Sequence, residues 1–411
     1  MFTFRRILSL PPTLPQELRS NFIHLYWDIA WWGLYTGSIV AFLTIYAARS
    51  GATSQQIGLL SALPALVSLL LSLPAGRVLR RFQARPATAA AAFLSRIQFL
   101  VYALLPWLFP PAAQVNALLV LAVLISIPTT FIGISYSQFF MDGIPAEWRG
   151  TVVSTRNAIL AVVSLGVTLL CGQILTILPF PTGYQVVFGI GFIGGIFTAY
   201  HIWHVRPVAL PAPPAPLPAA PPHIRRLPGL DAQGFLYLKV LGLLFLFNLV
   251  NSMAAPLVPD ILVHKLGLSD STISLGAGLS QMLVFSISLF MARFTRRAGN
   301  RRATALGAAL LAVHALALAL AGDVALYLLS AVIAGIAAGV LNTAQYNYNL
   351  DTVPQQRRSD WLSWNFLLGN AAVLLGALVG PLVARQTGTP DALLLFAALR
   401  LVFGWAIFKW G

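Results

Sequence analysis

The sequence predicts an all-α integral membrane protein: twelve transmembrane helices in two six-helix pseudo-repeats around a central cavity. Three observations carry that prediction. The 411 residues are 58% hydrophobic and only 9% charged, whereas a soluble globular chain carries roughly 25% charged residues. Two stretches about two hundred residues apart are nearly the same, MDGIPAEWRGTVVSTRN around Asp142 and LDTVPQQRRSDWLSWNF around Asp351. The basic residues, finally, crowd into alternate connections.

The repeat fixes the organisation. Asp142, Pro145, Arg149 and Ser154 fall on Asp351, Pro354, Arg358 and Ser363 at an offset of 209. Earlier, LPAGRVLRRFQARPATA (73–89) falls on LFMARFTRRAGNRRATA (289–305) at an offset of 216, as do Gly51 and Ile57 on Gly267 and Ile273. The slip of seven is absorbed between the third and fourth helices of each half. Same-order repeats imply two similarly folded halves, which in a membrane bracket a substrate path. The expected domains are a bundle over 1–205, a linker over 206–230 and a bundle over 231–411.

Hydropathy, cut at turn residues and charges, gives spans 22–48, 55–76, 87–108, 114–139, 155–178 and 184–205 in the first half. The second half gives 235–258, 272–293, 303–321, 323–348, 361–384 and 391–409. Each has about the ~20-residue length that crosses a bilayer. The runs are continuously apolar and do not alternate, so helices rather than barrel strands satisfy their backbone.

Charge orients them. Twenty-one Lys and Arg lie on the side of the N-terminus, against Arg49, Lys265 and Arg385 opposite, with Arg96 and Arg400 inside spans. The positive-inside rule then expects both termini in the cytoplasm; the membrane is read as a plasma (cell inner) membrane. The net charge of +15 reads as topology and as contact with anionic lipid headgroups. No basic soluble module supports nucleic-acid binding. The first twenty residues, with Arg5, Arg6, Pro11, Pro12 and Pro15, have no cleavable-signal pattern. The single Cys171 excludes an intramolecular disulfide or thiolate metal site and reads as a packing residue. Nine prolines in RPVALPAPPAPLPAAPPHIRRLPGL (206–230) make that segment a polyproline spacer.

Twelve spans, two six-helix repeats and a long linker resemble the major facilitator superfamily of secondary transporters, over about residues 20–409. That family carries a motif close to G-x-x-x-D-R-x-G-R-R between helices two and three. Here Gly76, Arg80-Arg81, Gln83 and Arg85 stand in the first half, and Arg296-Arg297, Gly299 and Arg301 in the second. Arg occupies the Asp position both times. The P-x-x-x-R-G pattern (Pro145, Arg149, Gly150) and its partner (Pro354, Arg358) co-occur at the repeat spacing. Arg81, Asp142, Arg149, Arg297, Asp351 and Arg358 gather at helix ends on the N-terminal side, where pairs worth ~0–1 kcal/mol each suit a gate that must open. The bland reading is that these arginines only set topology.

Asp28 is the one acid clearly inside a span, seven residues past Asn21, about 10 Å along a helix. Arg96 lies on the third helix. Intramembrane charges usually face a cavity or a partner, so Asp28 carries a coupling proton, forms a structural pair with Arg96, or sits at the cytoplasmic interface without leaving water. All three readings stand open. Arg400, on the twelfth helix, has no acid at its depth. The resemblance points to path-lining helices, and on these the polar candidates are Trp31, Trp32, Tyr35, Tyr136, Gln138, Asn248, Asn251, Gln281, Asn342, Gln345 and Asn349. Asn342, Gln345 and Asn349 form one helical stripe. Such amides also link helices.

No Walker motif, H-E-x-x-H or Cys/His cluster is present, so no built-in ATP drive, enzyme chemistry, cofactor or metal is expected. The glycine–proline signature of drug antiporters is missing from the fifth span, though the eleventh contains GALVGP. The reading is a secondary active transporter of a small solute by alternating access, proton-coupled or not. It is expected as a monomer, with the solute, protons and membrane lipids as partners. The alternatives are a non-coupled uniporter or exporter, and a transport-inactive receptor or scaffold of the same fold.

Overall fold

The computed structural model describes residues 15–79, 81–207, 232–354 and 358–411. Among them are twelve helices long and apolar enough to cross a membrane. In the first half these are α1 (Leu18–Arg49), α2 (Ser54–Leu79), α3 (Ala84–Leu108), α4 (Pro111–Gly143), α5 (Glu147–Ile177) and α6 (Thr182–His204). In the second they are α7 (Gly234–Lys265), α8 (Asp270–Met291), α9 (Asn300–Ala319), α10 (Val324–Thr352), α11 (Trp361–Thr387) and α12 (Thr389–Trp410). No strand occurs among the described residues.

Local chemistry sets the boundaries. Pro145 starts the chain into α5 in an extended conformation, as suits a residue with fixed φ and no N–H. Helix therefore begins eight residues before the apolar run does. Side chains cap three starts: Thr53 accepts from the Gln56 N–H at α2, Ser269 from the Thr272 N–H at α8 and Asp323 from the Leu326 N–H at α10, satisfying otherwise orphaned donors. The repeat-related Gly51 and Gly267 both sit at positive φ, 84° and 57°. Both halves thus use glycine where the chain turns between their first two helices. A wider π turn interrupts α1 at Thr36–Val40 and closes α7 at Ile261–Lys265, a feature common near functional positions. With it α7 runs past Pro256 and Pro259, seven residues beyond the expected end at 258.

The described residues group into two compact units, 15–50 with 70–207, and 51–69 with 232–411. Residues 51–69 belong by sequence repeat to the first half. They group with the second because Gly58, lacking a side chain, lies against the Ala377 carbonyl and Pro381 of α11. In the first unit α1 packs on α5 and α6, and α3 on α4 and α6. The fully buried Phe22, Leu25, Phe139, Val152 and Ile202 form its centre. In the second, α7 packs on α11 and α12, α9 on α10 and α12, and α8 on α10. Val240, Leu244, Phe247, Ala308 and Tyr348 are buried between them. Leu70, Trp107, Val120, Ile177 and Leu289 remain exposed. That much apolar surface is costly in water and suits lipid. The proline-rich spacer, from 208 to 230, lies outside the described residues.

Candidate binding and coupling sites

Three helices of the first unit converge on one charge. Asp28 of α1 is 4% exposed. Arg156 of α5 donates from Nη1 to Asp28 Oδ2 at 2.9 Å and to the Leu25 carbonyl at 2.7 Å. Its Nη2 donates to the Tyr136 hydroxyl of α4 at 2.6 Å. That hydroxyl lies 3.5 Å from Asp28 Oδ2. A buried carboxylate is tolerable only with such a counter-charge and hydrogen bonds.

Arg156, not Arg96, is therefore the partner of Asp28, which corrects the expected pairing. Sequence reading missed Arg156 because it stands at the edge of the apolar run and counted as a loop charge. The early start of α5 puts it nine residues into the span, about 14 Å along. The depth of a charge counted from the Pro145 start was the signal available.

Arg96 is buried on α3 by other means. Its Nε donates to Thr198 Oγ1 at 2.7 Å, and its Nη1 to Ser95 Oγ at 2.9 Å and the Ala92 carbonyl at 3.2 Å. Its guanidinium lies 4.9 Å from the centroid of the Trp32 ring, a cation–π contact strengthened by burial. The other predicted aromatics stack locally. Trp31 lies 4.4 Å from Phe197 and Tyr35 4.4 Å from Phe99.

The second unit holds a cavity of about 260 Å³ lined by Leu244, Leu341, Asn342, Gln345, Tyr346, Asn349 and Asn365. The predicted stripe of α10 is brought together there. Asn365 of α11 joins it, unforeseen by the sequence reading. Tyr237 donates to Asn349 Oδ1 at 2.7 Å and fixes that amide. Among the described residues, Asn342, Gln345 and Asn365 have no hydrogen-bond partner. The repeat offsets make this cavity the counterpart of the charged cluster. Leu244 stands where Asp28 does, Gln345 where Tyr136 does, and Asn365 where Arg156 does.

Asn248, Asn251 and Gln281 do not line it. Asn251 Oδ1 instead accepts from Arg400 Nη2 at 3.0 Å, and Arg400 Nη1 reaches the Leu311 carbonyl at 2.9 Å. Arg400 is thus held by neutral acceptors while its Nε, also buried, has none.

The expected gate residues are occupied locally. Gln138 donates to Asp142 at 2.6 Å, so Gln138 belongs to a helix end and not to the amide cavity. Arg149 donates to the carbonyls of Ile144 (3.0 Å) and Met141 (3.1 Å) rather than to Asp142. Asn300 donates to Asp351 at 2.6 Å. Arg81 and Arg297 are exposed. Arg80 and the side chain of Arg358 lie outside the described residues.

The Major Facilitator Superfamily model matches residues 240–410. No curated protein matches the sequence. Among solved structures, a bacterial homologue of the human lysosomal transporter Spinster, inward-facing and unoccupied, is 16% identical. It covers 96% of this chain and 97% of its own, at a TM-score of 0.70. A D-xylose–proton symporter is 14% identical, covering 95% and 97%, at 0.69. The nucleoside transporter NupG is 17% identical, covering 97% and 100%, at 0.63. At these identities the likeness establishes the fold. The family match lies over the second half, so the chain resembles the major facilitator superfamily there in sequence and resembles transporters of that kind in fold over its whole length.

Proposed function

We propose that the protein is a secondary active transporter that moves a small solute across the plasma membrane by alternating access, with Asp28 taking up and releasing a coupling proton. One observation carries this reading: the only buried acid among the described residues lies 2.9 Å from a buried arginine, and a tyrosine hydroxyl reaches both. A proton on Asp28 cancels its attraction for Arg156. The guanidinium keeps the Leu25 carbonyl and the Tyr136 hydroxyl but loses its counter-charge. Unpairing a buried charge costs roughly 3–5 kcal/mol. Proton uptake is therefore favourable only in a conformation that gives Arg156 water or another partner. That requirement links protonation to conformation. The fold neighbour named as a D-xylose–proton symporter makes coupling a natural use of this fold.

The test is flux in proteoliposomes. Asp28→Asn, a permanent mimic of the protonated state, should abolish accumulation driven by a pH gradient while leaving solute exchange measurable. Full gradient-driven accumulation by a well-folded Asp28→Asn protein sinks the coupling role and leaves a structural pair. The charge bias further supports a topology with both termini in the cytoplasm. In a Cys171→Ala background, Thr387→Cys should react with impermeant thiol reagents on intact cells, and Ala220→Cys should not. The opposite pattern inverts the topology.

A further inference from the structure

We propose that the amide-lined cavity of the second unit is the specificity subsite. It takes a neutral solute with adjacent hydrogen-bond donors and acceptors, such as vicinal hydroxyls or a lactam edge, and excludes ions. This rests on the transport reading and names its substrate class.

The first argument is unspent hydrogen bonding. Each amide side chain offers two donors and an acceptor. Amides that are not tied to the protein bond to water and can exchange that water for a ligand group. Gln345 and Asn365 are half-buried and face a shared cavity, and neither bonds to another described group. Asn349 is 6% exposed. Its Oδ1 is taken by the Tyr237 hydroxyl, so its N–H₂ is the part left to a ligand. Two helices, α10 and α11, thus present pairs of donors and acceptors to one space. A vicinal diol or a lactam offers the matching pair.

The second argument is charge. None of the seven lining residues is ionisable near neutral pH, Tyr346 being a phenol. An ion seated there would find no counter-charge among the lining residues, so whatever hydration it gave up on entry would go uncompensated. The repeat sharpens this point. The first half spends its equivalent positions on Asp28, Tyr136 and Arg156, and the second on Leu244, Gln345 and Asn365. Ionic work and solute recognition are divided between equivalent places.

The third argument is shape. A volume of about 260 Å³ lies at the small end of ligand sites and suits a monosaccharide or a nucleobase rather than a lipid. Leu244 and Leu341 supply an apolar wall for the C–H face of such a ring.

The experiment is equilibrium binding to the purified full-length protein. One arm uses glucose and myo-inositol, the other uracil and uridine, each at up to about 10 mM, well above usual substrate affinities. Matched charged probes are glucuronate, glucosamine and orotate. We expect one neutral arm to bind, identifying the source of the donor–acceptor pair, and its charged counterparts to bind at least about tenfold more weakly. Gln345→Leu and Asn365→Leu should each weaken the neutral probe by roughly tenfold or more, because a site built on polar partners is lost with them. Since a leucine could perturb folding, Asn365→Asp serves as the second variant. It should raise glucosamine binding relative to glucose.

Equal or tighter binding of charged probes, unchanged affinity in both leucine variants, or no neutral binding overturns the assignment. Flux separates this from the transport reading. A charged solute carried in an Asp28-dependent way and indifferent to Asn365→Leu removes the subsite and keeps the transporter. A neutral probe that binds in an amide-dependent way but never crosses keeps the subsite and removes transport.

Discussion

The two halves make the same helix crossing with the small residues on opposite partners. In the first unit α1 supplies them. A Cβ on Gly33 would meet Val163 Cγ1 at 2.7 Å, and one on Gly37 would meet the Ser164 carbonyl oxygen at 2.6 Å, both on α5. In the second unit α11 supplies them. A Cβ on Gly376 would meet the Leu249 carbonyl oxygen at 2.5 Å, and one on Gly380 the backbone of Met253 on α7. At the repeat offsets Gly33 and Gly37 correspond to Leu249 and Met253, while Gly376 corresponds to Val167 and Gly380 to Cys171. Close backbone approach is what the crossing requires; which helix of the pair supplies the small residues is free. Small residues four apart are the usual device for this in membranes, where lipid offers no hydrophobic drive between helices.

The same freedom extends to the sites that these crossings hold in place. Beside the α1–α5 crossing sits an ion pair; beside α7–α11 sits an uncharged cavity. The largest effect should come from breaking the ion pair from one side. Arg156→Ala leaves Asp28 buried without a counter-charge, and should cost about 3–5 kcal/mol of stability, read as a large fall in Tm of the detergent-solubilised protein. Importing the residues of the second half, Asp28→Leu with Tyr136→Gln and Arg156→Asn, should regain most of that loss while ending proton coupling. A triple variant as unstable as Arg156→Ala would mean that the two sites are not interchangeable in their packing.

A smaller effect separates the crossings. Gly33→Ala and Gly380→Ala should each cost about 1–3 kcal/mol through overpacking. The obstacle to Gly33→Ala is a side chain, so Val163→Ala should restore stability. The obstacle to Gly380→Ala is the main chain of Met253, so Met253→Ala should restore little. Equal rescue at both crossings would defeat this reading of the glycines.

Much of this was legible in the residues. Span number, the repeat and the α10 stripe follow from hydropathy and spacing, because burial in lipid selects apolar length directly. The crossings were present as Gly33-x-x-x-Gly37 and Gly376-x-x-x-Gly380, but spacing alone does not say which face meets which helix. Arg156 escaped because hydropathy marks where a helix becomes apolar, while Pro145 marks where it begins. Asn365 escaped for a related reason. It sits in SWNF just inside the eleventh span, and only the packing of α11 against α7 brings it into the cavity that Gln345 lines. Arg96 was read as deep and charged. Its actual partners, Thr198, Ser95 and Trp32, carry no charge, and no pattern of charges could reveal them.

The smallest effect concerns the helix ends, where the repeat is strongest in sequence. Asp142 and Arg149 do not pair. Arg149 instead closes the turn from α4 to α5 by donating to the carbonyls of Met141 and Ile144, groups that the end of α4 leaves without intrahelical donors. Asp142 accepts from Gln138 one turn back along α4. In this arrangement the arginine acts on its own connection, and the acid is not its partner. Arg149→Ala should then cost about 1 kcal/mol, the usual net worth of such hydrogen bonds, with hydrogen exchange rising in residues 141–149 alone. Asp142→Asn, which keeps an acceptor for Gln138, should change stability by a few tenths of a kcal/mol, as exposed charges usually do. A double-mutant cycle between the two positions should show no coupling. A coupling near 1 kcal/mol in that cycle would restore an Asp142–Arg149 pair in some conformation of the protein, and with it the gate suggested by the motif.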